Sequence, residues 1–286
     1  MRTLATAALC LLAVLPAHAQ DRPLPQLDAF LAQARTHLRT DRILQSQYTY
    51  LERRADIRMS KLGKLATGLW KVYEVYPGVP PVQTYRRLIE VDGKPLPKAE
   101  LDKDDREHQK RVLDVVGKYQ NESASDRAKR VAHQERLRHE DLETIDDLFN
   151  IYQFKLVERQ MLNGHPTIVV AFSPKPGVKP NTDDGKIMVK VKGRAWVSET
   201  DFEVARVEVE MLDDVSVGLV LGKLYKGSTA SFERRRVNDE VWLPAEARFN
   251  GQGRALVRKF SIDTVVQYYG YKKFSVGTDT TFTIPK

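Results

Sequence analysis

Segments in which apolar and polar residues alternate fill the second half of the chain, and they constrain its fold more than any other feature. Residues 205–211 alternate strictly, and residues 187–191 begin a similar segment. A period of two gives a strand one buried and one solvated face, as in antiparallel sheets. Asn163-Gly164 lies between two more such segments and is a strong signal for a two-residue hairpin turn. The pattern predicts an antiparallel β-sheet.

The number of predicted strands indicates the shape of this sheet. Residues 48–51, 68–76 and 83–91 have the same pattern in the first half, and Gly251-Gln252-Gly253 is predicted to be a turn between two late strands. About ten or eleven strands result, more than a flat open sheet usually carries. The predicted fold is mainly β with helices (α+β), a strongly curved antiparallel sheet or an incomplete β barrel.

Two helical regions accompany the predicted strands. Residues 27–38 have apolar residues at helical spacing, which predicts an N-terminal helix lying against the sheet. Residues 98–150 are densely charged, with opposite charges at i,i+4 separation, and apolar residues are sparse there before Leu142. We expect a charged helical insertion whose first two thirds project into solvent.

The N-terminus has the pattern of a secretory signal peptide. Arg2 precedes an apolar run, and Ala17-His18-Ala19 matches a cleavage site, so residues 1–19 are predicted to be removed. The run is too short to cross a bilayer as a helix, and no transmembrane segment is expected elsewhere. Cys10 is the single cysteine of the 286 residues, so the mature chain has none and its core must hold the fold without disulfides. Residues 20–286 are predicted to form one periplasmic domain.

The sequence contains no motif that is typical of catalysis or of metal binding. His108, His133 and His139 do not have the spacing of zinc ligands, and there is no Gly-x-Ser-x-Gly nucleophile motif. The sequence therefore predicts no catalytic residues, no metal, no cofactor and no enzymatic activity. The formal net charge is +8, and basic residues recur on the predicted strands. These basic residues either bind an anionic membrane surface or ligand, or simply lie on a solvated strand face. No binding to nucleic acid is expected.

Several segments together resemble a known superfamily. A helix after the leader, a meander opening at Tyr48-Thr49-Tyr50, the segment 193–208 with its Trp196 and acidic turn, and Val241-Trp242-Leu243-Pro244 are similar to the LolA-like outer-membrane lipoprotein-sorting proteins. The resemblance implies an incomplete antiparallel barrel whose apolar concave face, lidded by helices, shelters acyl chains.

Large aromatic residues on the predicted strands are the candidates for a binding site. They pack in the core, or they line an apolar cleft of the kind that binds small or lipidic ligands. The cleft candidates are Trp70, Tyr85, Phe154, Phe172 and Trp196. The predicted function is non-covalent binding of a hydrophobic or amphiphilic envelope component, such as a lipid or a lipoprotein acyl chain. The alternative is an envelope protein–protein interaction module with a solid core.

Overall fold

A computed structural model gives the fold of residues 22–38, 42–59, 65–78, 82–217, 222–255 and 258–274. The predicted leader, residues 1–19, lies outside these ranges. The helices are α1 (Leu27–Thr36), α2 (Arg42–Gln45), α3 (Lys98–Gln120), α4 (Ala124–Ile151) and α5 (Asp183–Met188). The strands are β1 (Tyr48–Met59), β2 (Leu65–Tyr76), β3 (Tyr85–Val91), β4 (Lys94–Pro95), β5 (Tyr152–Leu162), β6 (His165–Pro174), β7 (Val191–Ser198), β8 (Val204–Met211), β9 (Val215–Val217), β10 (Gly222–Leu224), β11 (Thr229–Val237), β12 (Val241–Ala255) and β13 (Arg258–Lys273).

The strands form one antiparallel sheet. Their order is β4-β3-β2-β1-β13-β12-β11-β8-β7-β6-β5, and the short β9 and β10 attach to β12 through β10. Within the described residues β4 and β5 are the two ends and do not pair with each other, so the sheet is open. This confirms the predicted mainly-β fold with an open, curved antiparallel sheet.

The residue types at two hairpin turns explain the backbone conformation of these turns. Asn163 and Gly164 have φ angles of 49° and 82°, and Asn238 and Asp239 have φ angles of 52° and 55°. Two successive positive φ angles define a type I′ turn, which Asn, Asp and Gly tolerate best. The predicted Asn163-Gly164 hairpin between β5 and β6 is therefore confirmed.

The predicted turn at Gly251-Gln252-Gly253 is wrong, because these residues lie inside β12. A side chain on Gly251 would meet the ring of Phe249, and one on Gly253 would meet the backbone of Lys223. Glycine is needed at both positions because an aromatic ring and a neighbouring strand approach the backbone closely.

The prediction that a strand begins at Ile187 is also wrong, because the strand begins four residues later, at Val191. Residues 183–188 form α5 instead, and β7 starts at Val191. The Thr182 side chain accepts a hydrogen bond from the Gly185 N–H and caps the helix, and two aspartates occupy its first turn. These end effects outweigh the alternating pattern of the segment.

Helix α1 covers one face of the sheet near β5 to β7. Its Phe30 and Ala34 are buried against Ile168, Val170 and Val197. The predicted packing of the N-terminal helix on the sheet is confirmed. We call this side of the sheet the helix side.

The charged helices α3 and α4 are largely exposed. No residue of α3 is buried, and α4 buries only Asp147 and Ile151, both near its C-terminal end. The predicted charged helical insertion is thus a pair of long helices. Among the described helices, none is long and apolar enough to cross a membrane.

Candidate ligand-binding cavity

A cavity of about 990 Å³ lies against seven strands of the sheet. Ligand pockets in proteins commonly have volumes of about 300–1,000 Å³. Its lining residues are Gln153, Phe154, Lys155, Ala171, Phe172, Ser173, Lys192, Gly193, Arg194, Glu208, Val209, Glu210, Thr229, Ala230, Ser231, Arg248, Phe249, Asn250 and Asp263. Since every lining residue belongs to β5–β8 or β11–β13, the sheet itself curves around this space.

The lining residues of the cavity come from both faces of the sheet. Six strands contribute three consecutive residues each, such as Lys192, Gly193 and Arg194 on β7. The outer two of each triplet share one face, and the central one points to the other. The outer residues are mainly charged or polar, whereas central residues such as Phe154 face the helix side, where Phe154 packs against the α1 cluster. The lining of the cavity thus combines charged and polar residues with apolar ones such as Phe154 and Phe172.

Two cations in the cavity flank a small residue. Lys155 on β5 and Arg194 on β7 both pair in register with Ala171 on β6, which lies between them. Two strand spacings separate their backbones by about 10 Å. Among the described residues, neither the Lys155 side chain nor the Arg194 side chain makes a hydrogen bond or an ion pair. Because alanine has only a methyl group, both long side chains can converge on one anionic group above it. We call these three residues the cation pair site.

Most of the other charged side chains that line the cavity form ion pairs. Lys192 pairs with Glu210 on the neighbouring strand at 3.1 Å. Glu208 pairs with Arg206, and Arg248 pairs with Glu246 at 2.5 Å. These pairs leave Lys155 and Arg194 as the two lining cations without an ion pair among the described residues, although Glu208 lies opposite Arg194 in the strand pairing.

Phe154 and Phe172 form a cross-strand pair at the cavity wall. Phe154 lies 5.5 Å from the ring of Phe149, and Phe172 lies 4.9 Å from the ring of Tyr152. A Cβ on Gly193 would lie 2.6 Å from the Phe172 ring, so glycine is needed for this packing. Both predicted residues line the cavity, but their rings pack on the helix side.

Trp196 lies outside the cavity. It is buried, its indole N–H donates to Gln160 Oε1 at 2.6 Å, and the Arg206 guanidinium lies 5.0 Å from its ring. The indole N–H of Trp196 therefore has an acceptor and its ring has a packing partner, both within the protein.

Trp70 and Tyr85 lie at the other end of the sheet. The Arg53 guanidinium stacks 4.3 Å from the Trp70 ring. Tyr85 stacks 3.9 Å from His108 of α3, and its hydroxyl donates to Asp105 at 2.8 Å. Burial and this hydrogen bond raise the pKa of the Tyr85 hydroxyl. Tyr85 thus joins α3 to the sheet.

The structure brings together only two of the five predicted site residues, Phe154 and Phe172. A ligand role for any of the five stays a prediction. Sequence reasoning missed the cation pair site, although it noted that basic residues recur on strands. Strand pairing was the missing information, because Lys155, Ala171 and Arg194 become neighbours only when β5, β6 and β7 are in register. In the described part of the chain, no three His, Cys, Asp or Glu side chains are grouped as metal ligands would be.

No protein-family model matches the chain, and no curated protein matches it in sequence. Among solved structures, it is similar to an outer membrane lipoprotein-sorting protein domain from Vibrio parahaemolyticus, with 10% identity, a TM-score of 0.31, and coverage of 88% of this chain and 93% of that one. It is also similar to a DUF1329 family protein from Desulfovibrio piger, with 13% identity, a TM-score of 0.29, and coverage of 90% and 96%.

A LolA superfamily protein from Nitrosomonas europaea is similar as well, with 10% identity, a TM-score of 0.26, and coverage of 87% and 94%. The superfamily that the sequence resembles is thus represented among these structures. The TM-scores are low, and the similarities carry no argument about the function of this chain.

Proposed function

We propose that this protein is exported to the periplasm and binds an amphiphilic envelope component without covalent chemistry. The anionic group of the ligand lies over Ala171, between Lys155 and Arg194. The observation that carries the proposal is this pair of cations, which have no side-chain partner among the described residues and line a cavity of about 990 Å³. The signal-peptide pattern of residues 1–19 supports export.

The lining favours an amphiphile over a bare acyl chain. An apolar chain would remove the water from Lys155, Arg194 and their charged neighbours without offering them a partner, which is unfavourable. An anionic group offers charge-assisted hydrogen bonds to both cations. The methylene stems of lysine and arginine can pack along the apolar part of the same ligand.

Native mass spectrometry of protein purified from its own host tests the proposal. A co-purifying lipid or lipopeptide with an anionic group is expected. Lys155→Gln and Arg194→Gln should each weaken binding of this ligand about tenfold, the loss of one charge-assisted contact. Ala171→Leu should also weaken binding, because it fills the position of the anion while keeping both charges.

Lys272→Gln is the matched control, since Lys272 is an exposed strand lysine outside the cavity. This variant should bind like the wild type. Absence of any co-purifying amphiphile, together with no binding of added anionic lipid, would count against the proposal.

An interaction module is the second candidate function, and a separate observation favours it. Leu113 on α3 is 65% exposed, and Val131 and Leu137 on α4 are also exposed. A contiguous apolar patch on a surface marks contacts with a partner protein, and we infer that these side chains contribute to one. Crosslinking in the host with a photoreactive residue at position 113 tests this, and a crosslink that Ala171→Leu leaves unchanged would favour it over ligand binding.

A further inference from the structure

A second polar site lies at the opposite end of the sheet, on β1 to β3. Glu52 of β1 is paired in register with Tyr268 of β13 and with Tyr73 of β2. Its carboxylate side chain is only 3% exposed. Arg54, two residues further along β1, shares its face. This region does not overlap the lining of the cavity.

The carboxylate of Glu52 is incompletely hydrogen-bonded. Its Oε2 accepts a hydrogen bond from Arg86 Nε at 3.3 Å. Its Oε1 lies 3.2 Å from Arg54 Nη1, but no N–H or O–H of the described residues donates a hydrogen bond to it. A buried carboxylate oxygen without a donor is unfavourable, and such atoms are uncommon in folded proteins. The oxygen is closed to solvent beside the 40% exposed Arg54 side chain, so a bound molecule donates to it where the Arg54 guanidinium turns outward.

The charges around Glu52 favour an anion beside that donor. The Arg54 and Arg86 guanidinium groups both pair with the Glu52 carboxylate, so these three side chains together carry a net charge of +1. The side chains of Arg54 and Arg86 are 40% and 45% exposed, so both can contact a ligand from solvent. Arginine binds phosphate groups well because its N–H groups match the geometry of the oxygens.

Tyrosine rings complete the surroundings. The Arg54 guanidinium lies 5.0 Å from the ring of Tyr73, which holds it in place. Tyr50 and Tyr268 have their rings 6.0 Å apart. Burial, and then the Glu52 carboxylate, raise the pKa of both hydroxyls, as expected for rings beside this carboxylate. Tyrosine faces attract ammonium groups.

We propose that Glu52, Arg54 and Arg86 form a second binding site, for a phosphate group that carries a neighbouring primary ammonium group. The two arginines bind the phosphate oxygens. The ammonium group donates to Glu52 Oε1 and lies against the tyrosine rings. Such a group occurs in lipid head groups and in free phosphoethanolamine. The proposal does not depend on the cavity.

Calorimetric titration with two soluble probes tests the recognition. Phosphoethanolamine has N–H donors, whereas phosphocholine has the same charges and none. We expect phosphoethanolamine to bind at least tenfold more tightly. Arg86→Gln should weaken binding of phosphoethanolamine about tenfold, and Glu52→Gln should abolish the preference between the probes. If the Glu52 variant does not fold, the comparison of probes and the exposed Arg86 still decide the question.

Arg138→Gln is the control, because the Arg138 side chain is 68% exposed on α4, outside both proposed sites. This variant should keep the wild-type affinity for phosphoethanolamine. Equal affinity for the two probes, no measurable binding, or a loss that occurs equally in the Arg138 and Arg86 variants would overturn the second site while leaving the cavity proposal standing. Sedimentation with phosphatidylethanolamine vesicles, but not with phosphatidylcholine vesicles, would assign the site to a lipid. Binding of free phosphoethanolamine alone would support the site for a soluble ligand.

Discussion

Asp147 provides the sharpest stability prediction, because a single buried carboxylate joins α4 to the loop before α5. Its side chain is fully buried. It accepts hydrogen bonds from the backbone N–H groups of Asn181 and Thr182 at 2.8 and 2.7 Å. The Asn181 side-chain amide and the Thr182 hydroxyl also donate to it, at 2.9 and 2.8 Å. Asp147→Asn replaces one accepting oxygen by an amide group that turns its own donors toward these N–H groups.

The expected loss is large for a single substitution. About two donors lose their acceptor, and each buried unsatisfied donor costs about 1–3 kcal/mol. We expect the free energy of unfolding to fall by about 3 kcal/mol, a substantial part of the roughly 5–15 kcal/mol typical of a domain. Urea unfolding followed by tryptophan fluorescence measures this loss. With a denaturant dependence of about 3 kcal/mol per molar urea, the midpoint should fall by about 1 M.

The same carboxylate gives a pH dependence with a defined sign. Burial alone would raise its pKa, but the hydrogen bonds from Thr182 and Asn181 outweigh burial and hold the pKa of Asp147 below its ordinary value. A lowered pKa in the folded state stabilises the protein above the pKa of the unfolded chain, near 3.9, and this contribution is lost as the pH falls further. The difference in stability between the wild type and Asp147→Asn should therefore shrink below about pH 4.

Asp146→Asn is the matched control for this experiment. The Asp146 side chain is 64% exposed and pairs with Arg35 at 2.5 Å. Exposed ion pairs contribute little, so this variant should lose less than about 1 kcal/mol. Equal losses in the two variants, or a wild-type advantage over Asp147→Asn that persists unchanged to pH 3, would refute the reasoning about Asp147.

Two further predictions concern stability, one from a contrast between two glycines and one from a buried arginine. Gly185→Ala should destabilise the protein by about 2 kcal/mol in urea unfolding, because the new Cβ would collide with Asp147 Oδ2 and lie 2.7 Å from Pro180 Cβ. Gly117→Ala, in open space on α3, should instead stabilise it by up to about 1 kcal/mol, and destabilisation there would show that the helix is not formed as described. Arg159→Ala should lower the unfolding free energy by about 3 kcal/mol, since it leaves the Glu199 partner of a 2.7 Å ion pair without its cation, and a loss below 1 kcal/mol would contradict a structural role for the pair.

Local turn chemistry was the most predictable part of the fold. Asn163-Gly164 adopts the turn that its two residues favour, and the strands on both sides follow from their alternation. Gly251 and Gly253 were misread because glycine has two uses. It permits turns, and it also permits close approach of a ring or a strand. The second use depends on Phe249 and Lys223 as neighbours in space, which the sequence alone does not provide.

The start of β7 illustrates a competition between two local signals. Residues 187–191 alternate as a strand would, but Thr182 caps a helix ahead of them, and Asp147 accepts hydrogen bonds from the two residues that precede this helix. The capping pattern is visible in the sequence. Its reinforcement by a carboxylate about 35 residues away is not, so the alternating pattern outweighed the capping signal in the prediction.

The proposed binding site could not be predicted from the sequence for a related reason. Aromatic residues were chosen as site candidates because they bury large areas, and for the same reason they are well suited to pack in the protein. Trp196, Trp70 and Tyr85 each have a polar or cationic partner that satisfies them. Lys155 and Arg194 are informative because neither side chain has a polar or charged partner among the described residues. A charged side chain that lines a cavity and has no partner in the protein is better evidence for a ligand than an aromatic side chain that has several.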